Sequence, residues 1–221
     1  MRVATVSAAA SGGVRVEGVA HWPDSAPAGG LALAHGAGSD CHAPWLAALA
    51  DAFADRGVAV LRCNLPFRQL RPTGPPRPAD AGQDREGLRA AARWLREAGI
   101  AGVWLGGHSY GGRQASLLAA ADPAGLRGLL LSSYPLHPPG KPGQLRTGHL
   151  PSLRIPVLAV QGSKDTFGGA AEVEEAFQAI PAEWRVMKVP GAGHDLKIRA
   201  GYPALAAAVF SAFTEFFFGG R

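Results

Sequence analysis

Three scarcities shape the reading of this 221-residue sequence: cysteine, lysine and long apolar runs. Its only cysteines are Cys41 and Cys63, too few for the disulfide framework of a small secreted domain. Each follows the end of a predicted strand; whether the two thiols are neighbours is not legible, and both are expected to be reduced. No run reaches the 18 apolar residues of a membrane helix; the best, Leu205–Phe218, is broken by Ser211, Thr214 and Glu215. Met1 to Ala20 lacks the apolar centre of a signal peptide, so the expected location is the cytoplasm, without membrane association. The cations are 18 Arg and only 4 Lys, giving a net charge of +5, yet they are scattered. Only Arg62–Arg77 concentrates them (Arg62, Arg68, Arg71, Arg77, no acid), and it is expected to be a solvated loop. A nucleic-acid binder gathers its charge on one face, so no nucleic-acid partner is expected. Zinc-type His/Cys spacing, H-E-x-x-H and Walker A patterns are all missing, and neither a metal nor a cofactor is implied.

What the sequence does have is material for a core. Hydrophobic residues make up 47% and charged ones 18%, which excludes wholesale disorder. Glycine and proline are plentiful, 30 and 18 residues, without a collagen period, and belong in turns and loops. Short apolar runs at Leu31–Ala34, Val58–Arg62, Val103–Gly106, Leu129–Ser132, Val157–Gln161 and Arg185–Val189 alternate with alanine-rich stretches. Those stretches, Pro44–Arg56, Asp84–Ala98, Tyr110–Ala121, Ala170–Ile180 and Pro203–Phe218, are good helix formers. Continuously apolar strands separated by such helices predict a parallel sheet covered on both faces. Arg2–Ser7 and Val14–Ala20 alternate instead and are joined through Ser11-Gly12-Gly13, which predicts an antiparallel hairpin leading into the sheet. The expectation is one doubly wound α/β domain over residues 1–221, mostly parallel, with no cap domain. The proline-rich stretches Cys63–Gly82 and Tyr134–Leu153 are predicted to be irregular and to wall a site at the carboxyl ends of the strands.

Chemistry concentrates in Gly107-His108-Ser109-Tyr110-Gly111, a G-x-S-x-G between a predicted strand and a predicted helix. A strand running straight into a helix forces a strained turn at its middle residue, and small residues two before and two after let the backbones pass. The serine hydroxyl is then held clear of the sheet at the positive end of the helix, and the Tyr110 amide is one donor to an oxyanion. His35-Gly36-Ala37-Gly38 follows another strand; there Ala37 N–H is the expected second donor and His35 a brace for the loop. A base must accept the serine proton and an acid must orient that base. Downstream of Ser109, His137 and His149 lie in a proline-rich loop, whereas His194 ends the glycine-rich turn Pro190–His194 after the last strand. Asp165 follows the strand Val157–Gln161; Asp195 adjoins the histidine and would point away, Asp122 suits a helix end, and the loop Ser132–Pro135 holds no acid.

The stretches Leu33–Asp40, Gly107–Arg113 and Gln161–Gly168, in that order, resemble the α/β-hydrolase superfamily. They are similar in particular to its small, capless dienelactone-hydrolase-like branch, to which testis-expressed hydrolase-like proteins are related. The resemblance implies an α/β-hydrolase fold, a Ser109–His194–Asp165 triad and a serine hydrolase of the carboxylesterase type (EC 3.1.1) acting on an ester, thioester or similar bond of a small-molecule acyl substrate. Dienelactone hydrolases use cysteine where this sequence has Ser109. Alternatives are a non-catalytic binding or scaffold protein of the same fold, and a peptidase or acyltransferase with the same triad. Leu65, Phe67, Tyr134 and Leu136 are expected to line the site, and Arg68 and Arg71 to favour an acyl group carrying a carboxylate. Oligomeric state is not legible, although Phe217 and Phe218 exceed what one core face of the last helix requires.

Overall fold

The computed structural model describes residues 1–10 and 13–219. Strands β1 (Arg2–Ala9) and β2 (Arg15–Trp22) pair antiparallel from Arg2↔Trp22 to Ala9↔Arg15. Of the connection assigned to Ser11-Gly12-Gly13, Ser11 and Gly12 lie outside the described residues. The chain continues through β3 (Gly29–Ala34), α1 (Pro44–Ala54), β4 (Val58–Cys63), α2 (Pro66–Leu70), α3 (Ala81–Glu97), β5 (Val103–His108) and α4 (Tyr110–Ala121). It ends with β6 (Leu126–Ser132), β7 (Val157–Gly162), α5 (Ala170–Phe177), β8 (Trp184–Val189) and α6 (Gly201–Phe218). The sheet order is β1-β2-β4-β3-β5-β6-β7-β8. β2 joins β4 antiparallel, and every pairing from β4 to β8 is parallel.

Burial on both faces follows from the apolar strands. In β3, Leu31 and Leu33 face α1 and α6, whereas Ala32 and Ala34 face the α3–α4 side. β7 splits in the same way, with Leu158 and Val160 on the first face and Val157 and Ala159 on the second. This is the period of two expected of a pleated strand. On the α1–α6 side, Phe213 packs edge-on against Phe53 (5.0 Å) and Trp104 (5.3 Å).

Three expectations are corrected here. The loop Cys63–Gly82 contains a short helix, α2, because Pro66 occupies its first position, where no amide donor is needed; a single 3-10 turn follows at Pro78–Asp80. Arg62 and Arg68 are buried rather than solvated. Arg62 donates to His21 Nε2 (3.0 Å) and to the Cys41 carbonyl. Finally, α6 has 18 residues at a mean hydropathy of 1.3, so by length and composition it is apolar enough to cross a membrane. Yet Leu205, Val209, Phe213 and Phe216 are buried in the core, while Ala208, Ser211, Thr214 and Glu215 face outward. The two thiols are free and buried, which pushes Cys41 up to about 11 and Cys63, with Cys41 nearby, up to about 12.

Candidate active site

The turn from β5 into α4 presents Ser109 with φ 51° and ψ −114°, a conformation unusual for a residue with a side chain. Two glycines make it possible. A Cβ on Gly107 would meet the Ala34 carbonyl oxygen at 2.3 Å, and one on Gly111 the His35 oxygen at 2.5 Å. The turn is fixed by Ser109 N–H to Ser132 O (2.8 Å) and Gly111 N–H to His35 O (3.1 Å).

His194, in the loop after β8, lies with Nε2 2.8 Å from Ser109 Oγ. Its Nδ1 is 2.9 and 2.8 Å from the two carboxylate oxygens of Asp165, whose side chain is fully buried. Asp165 Oδ1 also accepts the Phe167 amide (2.8 Å) and Oδ2 the Gln161 side-chain amide (3.0 Å). Gln161 is locked in turn: its Oε1 accepts Tyr134 N–H (2.7 Å) and its Nε2 donates to Gly168 O (2.8 Å). The imidazole is clamped between rings, stacked on Phe167 at 4.1 Å and beside His108 at 5.4 Å. Burial, and then His194, hold His108 down to about 4, so this neighbour stays neutral.

The other candidates lie elsewhere. His137 Nδ1 donates to the Pro138 carbonyl (2.9 Å), and His149 Nε2 is 2.8 Å from Ser116 Oγ. Asp195 pairs with Lys197, and Asp122 with Arg89 while capping Ala124 N–H. His35 is a brace: its Nδ1 donates to Gly36 O (2.8 Å), its Nε2 accepts Leu65 N–H (3.1 Å), and burial holds it down to about 4.

Ala37 and Tyr110 face the same cavity as Ser109, and among the described residues neither amide donates to a backbone carbonyl. Tyr110 is anchored through its hydroxyl, which donates to Asp84 Oδ2 (2.7 Å); Asp84 Oδ1 accepts Phe67 N–H (3.0 Å). Burial raises the Asp84 carboxyl above its ordinary range.

The cavity has a volume of about 760 Å³, the size of a small-molecule site. Its walls differ from expectation. Leu65, Phe67, Tyr134 and Leu136 are buried in the core beneath it; Pro75, Pro76, Pro78, Pro135 and Phe167 form the apolar lining instead. Nor do Arg68 and Arg71 reach it. Arg68 donates to the carbonyls of Ser39 (2.9 Å), Ala37 (3.0 Å) and Gly74 (3.1 Å), so it holds the loop after β3, and Arg71 pairs with Asp80. Sequence reasoning assigned no role to Gln161 or Phe167, although a glutamine ending the otherwise apolar β7 was a signal that a buried partner awaits it.

A family model described as an alpha/beta hydrolase domain matches residues 28–212. Among solved structures, a dienelactone hydrolase from Anabaena variabilis is similar at TM-score 0.77 and 23% identity over 98% of both chains. TT1662 from Thermus thermophilus aligns over the whole of both chains at TM-score 0.75 and 26% identity. Est1E from Butyrivibrio proteoclasticus shares 14% identity at TM-score 0.74, covering 96% of this chain and 98% of its own. Among curated proteins, polyketide synthase ThaQ of Burkholderia thailandensis is 42% identical over 55 residues, a quarter of this chain and 3% of that protein's length. The family match over most of the sequence, on a sheet of this order, establishes that the chain belongs to the alpha/beta hydrolase family.

Proposed function

We propose that this chain is a serine hydrolase that cleaves an ester, thioester or related acyl bond through an acyl-enzyme. Ser109 Oγ attacks the acyl carbon and its proton passes to His194 Nε2, while the carbonyl electron pair moves onto oxygen and is met by the Ala37 and Tyr110 amides. Collapse breaks the bond to the leaving group, which takes the proton from His194. Water, deprotonated by the same nitrogen, then attacks the acyl-enzyme, and collapse expels Ser109 Oγ, which takes that proton back from His194 Nε2 as the acid is released. Asp165 keeps the Nδ1 proton in place throughout, so that Nε2 presents its lone pair to the serine.

The observation that carries this reading is the continuous relay from Ser109 Oγ through His194 to Asp165 at 2.8 to 2.9 Å. Hydrolase family membership supports it. The test is labelling by a fluorophosphonate, which reacts with activated serines. Wild-type protein is expected to label and Ser109→Ala to remain unlabelled, with ester hydrolysis reduced by several orders of magnitude. A folded wild-type protein that does not label, or equal labelling of both proteins, refutes the assignment.

A further inference from the structure

Charge in the active-site cavity is one-sided: among the described residues its walls include Arg77, Arg113 and Arg146 but no aspartate or glutamate. Arg77 is exposed and lies beside Asp80, which pairs with Arg71. Arg113 and Arg146 are half-buried, and neither forms an ion pair with a carboxylate among the described residues. Arg113 Nε is buried without a hydrogen-bond partner among the described residues. Among the described residues the Arg146 guanidinium has only a long contact, 3.3 Å, to Pro135 O. Burial, and then the charge of Arg113, push Arg146 below its ordinary range, so the two guanidinium groups are near enough to repel.

Two partly desolvated like charges and an unmet donor carry a free-energy cost. An anion lying between them relieves both costs, because guanidinium groups bind carboxylate and phosphate oxygens bidentately. The position is informative as well. Arg113 is four residues beyond Ser109 and its amide donates to the Ser109 carbonyl (2.9 Å), so its side chain starts about one helical turn from the nucleophile.

We propose that Arg113 and Arg146 form an anion subsite that selects acyl substrates carrying a second, negatively charged group, a carboxylate or a phosphate, several bonds from the scissile carbonyl. The inference rests on the serine-hydrolase reading for the nature of the substrate, but the subsite binds its anion without turnover. It is therefore tested by calorimetric titration of the full chain with three non-hydrolysable probes of matched length: adipate monoamide, pentyl phosphate and neutral hexanamide. The better of the two anions is expected to bind at least about tenfold tighter than hexanamide, as hydrogen bonds to a charged group imply. Which anion wins identifies the charged group of the substrate. Arg113→Gln and Arg146→Gln, verified as folded by circular dichroism, are each expected to lose that preference, whereas Arg113→Lys, which keeps the charge, retains most of it. Equal binding of charged and neutral probes to the wild type overturns the proposal. So does an unchanged preference in both glutamine variants. An intact anion preference in a protein that the fluorophosphonate does not label supports the subsite and removes the hydrolase reading; labelling without anion preference does the reverse.

Discussion

Replacing Asp165 by asparagine tests the relay at its least obvious point, because the amide has no comfortable orientation. Oδ1 accepts the Phe167 amide, Oδ2 accepts Gln161 Nε2, and His194 Nδ1 reaches both oxygens. Gln161 cannot turn over to offer its oxygen, since Tyr134 N–H and the Gly168 carbonyl fix its two ends. Whichever way the introduced amide points, its NH₂ faces a donor. With NH₂ at the Oδ2 position, His194 is drawn into the tautomer protonated on Nε2, which is unable to accept the Ser109 proton. The expected loss for Asp165→Asn is about 10⁴-fold in kcat, or about 5.5 kcal/mol of transition-state stabilisation, with little change in KM. The stranded donor costs about 1–3 kcal/mol of stability, a fall of several degrees in Tm for a chain of this size. Steady-state hydrolysis of a p-nitrophenyl ester, with calorimetric melting of the same samples, measures both. A kcat within about tenfold of wild type refutes the role given to Asp165.

Further outcomes are expected at Asp84, Arg68 and Phe213. Asp84→Ala strands the Tyr110 hydroxyl and the Phe67 amide and should cost about 2–5 kcal/mol in urea denaturation; a loss below about 1 kcal/mol contradicts the anchoring. Because burial raises the Asp84 carboxyl in the folded state, the native protein holds that proton more tightly than the unfolded chain. Its ionisation therefore removes stability as pH rises above about 4, and the stability of Asp84→Asn relative to wild type should increase from about pH 4 towards neutrality; a decrease reverses the sign and the reasoning. Arg68→Met frees the carbonyls of Ala37, Ser39 and Gly74 and should lower kcat/KM alike for charged and neutral esters, whereas a loss confined to charged esters would return Arg68 to the substrate. Phe213→Ala removes a fully buried ring that meets Phe53 and Trp104 and should cost about 3–5 kcal/mol by urea titration; a cost under about 1 kcal/mol would mean that this face is not packed as described.

Local order in the chain determined much of this protein. Continuous apolar strands such as Leu31–Ala34 and Val157–Gln161, set between helix formers, specify a sheet covered on both faces, since such strands have no polar side to give to water. The elbow at Ser109 was legible because its pattern is local, a G-x-S-x-G set directly between a strand and a helix, although the carbonyls of Ala34 and His35 that leave no room at Gly107 and Gly111 come from the end of β3 and the residue after it. The order Ser109, Asp165, His194 named three residues whose side chains come within hydrogen-bond distance of one another. The lining of the cavity was not legible. Arg68 and Arg71 were as plausible as Arg113 and Arg146 by composition, and Tyr134 as plausible as Phe167. What separated them was the fold, which buries Tyr134 and satisfies Arg68 with four loop carbonyls, two of them distant in sequence, yet leaves Arg113 Nε without a partner among the described residues. Backbone pattern follows from neighbours along the chain, whereas the direction and the partners of a long side chain follow from groups that only tertiary packing brings together.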